Sequence, residues 1–349
     1  MSDRIVGLDI GYSKIRAAQV DRGHRGGARV DLVYEIDIPD GVFALGEVVD
    51  KEAFAELLTT LWSKGEFSSK KVALAAPNLH VFARELSIPV MSKHRIVESL
   101  PFMMEGVLPV PSESLFLDFY PAATEAEDSG PMFHGIVVAV EKTTVEKLVD
   151  AVTAAKLTPI SVDFVPFALA RMHLTENHEP GLMALVDVGA LTSSVIIAQG
   201  AVPLFVRVIP VGGQDINRVL MSESKISDDE ANKQKFAMTT EPTSKSETKN
   251  ATWKIINDVA ADFAQAVKGT IDFFEQEHPA AIGRIEHVLL SGGGAQLAVL
   301  PGTLEKACKV TVELSRGIPH IKVKPPLDVD DKDFDKMAVA IGLTLGVNS

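Results

Sequence analysis

The chain has 349 residues, 46% of them hydrophobic but only 6% aromatic, and a formal charge of -13. That length exceeds one ordinary hydrophobic core and points to two domains, and the aliphatic bias suits alternating strands and helices, an α/β class. The acidic balance excludes a general electrostatic grip on nucleic acid, which needs clustered Lys and Arg, and the lone Cys308 has neither a disulfide partner nor a metal-ligand neighbourhood.

Met1-Ser2-Asp3-Arg4 leads directly into a strand, so no secretory signal is expected, and the most apolar window, Leu182 to Ala198, is too short and too interrupted by Asp187 to span a bilayer. Ile5 to Asp9, Ile15 to Val20 and Arg29 to Ile38 predict a strand meander. Phe54, Leu57, Leu58 and Leu61 predict a helix over Lys51 to Ser63, and a strand follows from Lys71 to Ala76. After Pro77-Asn78 the order becomes strand (Val81 to Ile88), helix (Lys93 to Leu108), strand (Leu115 to Tyr120), acidic loop (Glu125 to Gly130) and strand (Phe133 to Val140), a small α+β insert. Pro101 should kink or end the first half of its helix. A helix from Thr143 to Ala155 and a strand from Pro159 to Asp163 return to the parent domain.

The polar stretch Glu176 to Pro180 marks a change of domain. Leu182 to Val188, Ser193 to Gln199 and Leu204 to Pro210 then repeat the opening three-strand pattern, and Gly212-Gly213 leads into a helix to Glu223. Ser227 caps a helix to about Phe236, Met238 to Asn250 reads as a mobile loop, and Ala251 to Glu277 is the longest helical signal. A strand, His287 to Leu290, delivers a triple glycine; Leu297 to Cys308, Thr311 to Leu314 and Asp335 to Val347 read as helix, strand and closing apolar helix.

Three pieces of this order carry chemistry. Asp9-Ile10-Gly11-Tyr12-Ser13 and Asp187-Val188-Gly189-Ala190-Leu191-Thr192-Ser193 each sit in a strand-to-strand turn, and Gly292-Gly293-Gly294 follows late. A Walker or dinucleotide loop is excluded, because both need a helix directly after the glycine turn. Gly11 and Gly189 would bring backbone N–H groups close to phosphates, with Ser13, Thr192 and Ser193 offering hydroxyls. Asp9 and Asp187, facing one another across a cleft, would hold a magnesium ion through its waters. Either aspartate alone reads equally well as ordering its own turn. Asp163 is the candidate to orient a hydrolytic water, and reads equally as a cap for the helix that follows. The nine histidines lack metal-ligand spacing.

Two Asp-x-Gly strand-turn-strand units and a late glycine turn resemble the actin-like ATPase superfamily, which includes sugar kinases and the division protein FtsA. In closer detail the chain resembles the PilM family of type IV pilus assembly proteins, through Val6-Gly7-Leu8-Asp9-Ile10-Gly11, Phe82-Ala83-Arg84-Glu85-Leu86-Ser87-Ile88-Pro89, Val107-Leu108-Pro109-Val110-Pro111, Leu117-Asp118-Phe119, Ile209-Pro210-Val211-Gly212-Gly213-Gln214-Asp215-Ile216, Ser227-Asp228-Asp229-Glu230-Ala231 and Leu290-Ser291-Gly292-Gly293-Gly294-Ala295, in order.

This resemblance implies an actin-like (ribonuclease H-like) two-domain nucleotide-binding fold with a small α+β insert in the first domain. Residues 1–78 and 156–178 would form the first domain (1A), 79–155 an SHS2-like insert (1C), and 179–349 the second domain (2A) with a helical subdomain (2B) at about 213–284. It implies ATP and Mg2+ as ligands. Arg16 stands where a basic residue reaches the phosphate tail, Asn232 and Lys235 where an acidic residue and a lysine lie near ribose and base, and Gly292, Gly293 and Gly294 at the adenosine turn. Tyr12 replaces the usual small residue at the phosphate end, and Asn232 the acidic one, which puts hydrolysis in question more than binding. The implied role is a cytoplasmic scaffold, held at the inner face of the inner membrane by its partner, the N-terminal tail of PilN, with further platform proteins and self-association as other contacts. The insert's Phe102, Met103, Val107 and Leu108 supply apolar material for contact or for core. A small-molecule kinase and an FtsA-like division tether are the alternatives; the basic amphipathic anchor of the tether is not seen, nor the membrane span of the related GspL.

Overall fold

A computed structural model describes residues 3–23, 27–127, 130–174, 181–240, 247–278, 283–315, 321–325, 327 and 335–347. The chain divides into two compact units, Met1–Thr175 with Ala201–Val206 and Arg316–Ser349, and Glu176–Gly200 with Arg207–Ser315.

In the first unit β1 (Arg4–Ile10), β2 (Lys14–Asp21) and β3 (Arg29–Asp37) form an antiparallel meander. Ile5, Val6, Leu8, Ile15, Ala17, Ala18 and Val20 are buried, the near-continuous apolar run of strands covered on both faces. After the ribbon of β4 (Phe43–Ala44) and β5 (Glu47–Val48) comes α1 (Lys51–Lys64). Asp50 starts it by accepting the Ala53 N–H at 2.9 Å, and Phe54, Leu58 and Leu61 line its buried stripe. β6 (Lys71–Ala76) then pairs parallel with β1.

The insert consists of β7 (Val81–Pro89), α2 (Lys93–Met103), β8 (Leu115–Glu127) and β9 (Gly130–Glu141). Its antiparallel sheet, ordered β7-β9-β8, packs with α2 around Ile88, Leu100, Leu115, Phe119 and Val137. Two expectations change here. The acidic stretch is strand up to Glu127, because β8 and β9 pair down to Glu127 opposite Gly130. Pro101 lies inside α2 without ending it, since the Val97 carbonyl it leaves without a helical donor belongs to an exposed residue; the helix stops at Met103, short of Leu108.

The chain returns through α3 (Lys142–Ala154), β10 (Thr158–Phe164) and α4 (Val165–His173). Leu148, Ala151 and Val152 of α3 share one core with Val6, Leu8, Phe54 and Leu74, so α3 packs as part of the parent layer and not of the insert to which residues up to 155 were assigned.

The five-stranded sheet repeats the scheme with β11 (Leu182–Val188), β12 (Ser193–Gln199) and β13 (Val202–Ile209), and the chain continues through α5 (Gly213–Ser224), α6 (Asp228–Ala237), α7 (Glu247–Glu277), β14 (Ile285–Ser291), α8 (Leu300–Cys308) and β15 (Thr311–Leu314), with strand order β13-β12-β11-β14-β15. The Ser227 hydroxyl accepts the Glu230 N–H and caps α6. Helix α7 already begins at Glu247, inside the segment read as a loop; residues 241–246 of that segment, like residues 175–180, lie outside those described.

The last elements, β16 (Lys322–Val323) and α9 (Ala338–Leu345), belong to the first unit, whose sheet runs β10-β6-β1-β2-β3-β16. This departs from a second domain continuing to residue 349. The reason is a close approach: a Cβ on Gly7 of β1 would collide with the Ala340 carbonyl, so only glycine lets α9 lie against the strand. Leu343 shares a core with Ile5, Ala73 and Ala168.

Candidate functional site

In both units the turn between the first two strands has the same frame. Asp9 pairs with Arg16 across β1 and β2, and Asp187 with Ser194 across β11 and β12. The Gly11 N–H donates to the Lys14 carbonyl at 2.9 Å, and the Gly189 N–H to the Thr192 carbonyl at 3.0 Å. Aspartate and glycine thus occupy equivalent places in each unit.

What holds the second turn is buried backbone. The Gly213 N–H donates to Gly189 and the Gln214 N–H to Ala190, both at 2.9 Å. The Ser193 hydroxyl donates to the Val211 carbonyl at 2.8 Å, and Ser193 is fully buried. Ser193 therefore fastens the turn to segment 211–214, a correction to its reading as a phosphate hydroxyl; Thr192 stays half-buried at the surface of the turn. Asp215 accepts the Gly212 N–H at 2.8 Å and returns its own N–H to the Gly212 carbonyl at 3.1 Å, which closes the start of α5.

The triple glycine follows β14, where Ser291 is in register with Asp187. Gly292 has φ +88, and a Cβ there would sit 2.7 Å from Asp187 Oδ1. A Cβ on Gly294 would collide with the Val188 side chain, whereas one on exposed Gly293 would meet nothing within 4 Å. Two glycines are thus demanded by the protein itself, and the middle one is not. Beside them Val188, Gly212, Ile216, Phe263, Leu297 and Leu300 line a small apolar pocket.

On α6, Asn232 is exposed, whereas Lys235 is buried. Lys235 Nζ donates to the Gly213 carbonyl at 3.0 Å and lies 5.0 Å from the centre of the Phe236 ring. Burial lowers the lysine to about 8, with the Asp228 charge opposing. Asn217, fully buried on α5, donates to Asp228 at 2.8 Å. Sequence reasoning missed Asn217, an amide in a helix whose neighbours Ile216 and Leu220 carried the apolar pattern.

The first turn is more open and more charged. Tyr12 and Ser13 are exposed. Arg16 Nε lies 3.2 Å from Glu35 and its guanidinium 3.8 Å from Asp9, while Lys14 bridges Glu35 at 3.1 Å and Asp37 at 2.8 Å. Burial raises the Asp9 carboxyl above its usual range, with Arg16 opposing. A cation arriving there would meet a carboxyl already short of water. Asp163 is engaged on both oxygens: Oδ2 pairs with Arg171 and Oδ1 accepts the Phe164 N–H at 2.7 Å. Arg171 also donates to the Gly342 carbonyl at 3.0 Å, so the pair ties α4 to α9. Among the described residues no three His, Cys, Asp or Glu side chains gather as a metal cage, and no helix is long and apolar enough to cross a membrane.

Solved structures with this architecture include a chain of a PilM–PilN type IV pilus biogenesis complex (TM-score 0.82, 23% identity, 98% of this chain and 97% of that one) and MreB5 of Spiroplasma citri bound to AMPPNP (TM-score 0.54, 11% identity, 98% and 95%). The cell division protein FtsA of Bacillus subtilis is 22% identical over 252 residues, covering 66% of this chain; the match spans only 57% of FtsA's own length. Fold and paired turns define an actin-like fold. Within it, the family model for type IV pilus assembly protein PilM matches residues 7–347, and the chain belongs to that family. The kinase and division-tether alternatives are not favoured by this match.

Proposed function

We propose that this chain is an ATP-binding scaffold of type IV pilus assembly, which carries the N-terminal cytoplasmic tail of PilN and couples its nucleotide state to assembly of the inner-membrane platform. The observation that carries the nucleotide half is the glycine turn beside Asp187, where Gly292 and Gly294 are fixed by packing and Gly293 is left facing open space. In this reading the turn at Gly189 and Thr192 presents N–H and hydroxyl groups to phosphates, and the turn at Gly11, Ser13 and Arg16 carries the same kinds of group within the first unit. The base would rest against the apolar wall beside the glycine turn. Asp187, and within the first unit Asp9, would each offer a carboxylate to Mg2+ through its waters, a mode that suits an ion reluctant to lose its hydration shell. Bound magnesium would supply charge neutralisation of the phosphates. Asp163, already engaged by Arg171, is assigned to fixing α4, and nucleotide acts as a state marker.

The partner half is supported by the family match and by similarity to the solved PilM–PilN complex. Tail binding would hold the protein at the inner face of the membrane; further platform proteins and self-association would follow from that recruitment.

Calorimetric titration tests both halves. Mg-ATP should bind saturably, and a peptide of the PilN tail should bind with an affinity that differs between ATP-loaded and nucleotide-free protein. No heat with either ligand overturns the reading; equal tail affinity in both states removes the coupling.

A further inference from the structure

Lys235 is 4% exposed on a helix whose other residues are mostly polar and solvated. A buried ammonium carries a desolvation penalty unless it finds strong partners. Here one of those partners is a single backbone carbonyl, that of Gly213. The peptide unit joining Gly213 to Gln214 accepts the ammonium on its oxygen and donates its own N–H to the Ala190 carbonyl in the second turn. A cation on the oxygen polarises that amide and strengthens it as a donor, since hydrogen bonds in a chain reinforce one another and charged donors form the stronger ones. The adjacent Gly213 N–H donates to Gly189, whose N–H closes the turn on Thr192. One buried charge on α6 is therefore a single peptide away from residues 189–193.

Behind the lysine stand Asp228 and Asn217. Asp228, on the first turn of α6, is the charged group acting on the ammonium, and Asn217 of α5 holds that carboxylate at 2.8 Å. The Phe236 ring covers the cation. Helices α5 and α6 thus share a buried polar cluster whose output is the peptide at 213–214.

We propose that Lys235 is a positioning residue, which sets the conformation of turn 189–193 through the Gly213–Gln214 peptide and so couples the placement of α6 to that turn. Its importance for ligand binding rests on the reading of this turn as a phosphate turn. Because coupling is reciprocal, a ligand seated on the turn would tighten α6 in the same measure.

The test is amide hydrogen exchange on the nucleotide-free full chain, comparing wild type, Lys235→Met and Lys235→Arg at pH 7, with wild type and Lys235→Met also at pH 9. Lys235→Met should speed exchange at Gly189, Gly213 and Gln214 by about tenfold, equivalent to ~1.4 kcal/mol of local opening, and leave Gly11 unchanged. Lys235→Arg should restore protection. Because these openings are local and leave Lys235 buried, wild type should lose protection at the same three amides between pH 7 and pH 9, beyond the intrinsic acceleration by base and against the rise in global stability, and Lys235→Met should not. Wild-type-like protection in Lys235→Met, or in wild type at pH 9 if that variant fails to fold, overturns the proposal. Titration with Mg-ATP separates the two claims: wild type that binds no nucleotide refutes the functional reading, while the exchange result still decides the role of Lys235.

Discussion

The two turns share a frame and differ in what holds them. Around Gly11 the support is a ladder of charges at the rim, Asp37, Lys14, Glu35, Arg16 and Asp9, beside exposed Tyr12 and Ser13. Around Gly189 it is a set of neutral backbone bonds, a buried serine hydroxyl and one buried lysine. Register alone makes the turns alike, because an aspartate two residues before the turn glycine must appear at the same sheet end. Their surroundings make one sensitive to salt and the other to shape and to the protonation of a single amine.

The largest expected effect belongs to that amine. Lys235 has a folded-state pKa of about 8 against 10.5 for the free side chain. Between those values the unfolded chain holds more protons than the folded one, so stability should rise with pH across that window, by on the order of 3 kcal/mol for this group. The difference between wild type and Lys235→Met in urea unfolding from pH 7.5 to 10.5 isolates it. A difference that stays flat with pH would remove the buried charge from the account of the second turn.

Next come the twin glycines. A Cβ at Gly189 would sit 2.6 Å from the Thr192 carbonyl, whereas one at Gly11 would sit 3.2 Å from that of Lys14. Gly189→Ala should cost about 1–3 kcal/mol, and Gly11→Ala under about 1. Trp62 in the first unit and Trp253 in the second allow each unit to be followed separately by fluorescence, in Trp253→Phe and Trp62→Phe backgrounds. Equal losses would break the contrast. The smallest effect lies in the ladder: Glu35→Gln removes one of two carboxylate partners from each of Lys14 and Arg16 and should cost about 0.5–1 kcal/mol at low salt, vanishing in ~1 M salt, where the screening length is roughly 3 Å. A cost that persists at high salt would mean the ladder is packed rather than merely paired.

Much of this was legible beforehand. Leu182–Val188, Ser193–Gln199 and Lys71–Ala76 are strands at the expected limits, because continuous apolar runs bounded by turn residues have little freedom to be anything else. The equivalence of Asp9 with Asp187 was visible in the repeated motif. What escaped was tertiary. The destination of α9 depends on Gly7 admitting a carbonyl, and α3 belongs to the parent core through Leu148 and Val152, which any amphipathic helix would display. Ser193 looked like a ligand hydroxyl until burial turned it inward. Helix α6, opening Asp-Asp-Glu and carrying Asn, Lys and Gln, reads as solvated, and nothing in that pattern marks Lys235 as the one that points into the protein.

Calorimetric titration of Mg-ATP into wild type and Gly293→Ala tests the central claim most directly. The added methyl meets no protein atom within 4 Å, so the urea midpoint should not move, while a nucleotide seated against the glycine turn must give way to it. The account predicts saturable binding by wild type and a loss of at least about tenfold, ~1.4 kcal/mol, in the variant. Equal affinity in the two proteins, or no binding by wild type, would contradict it.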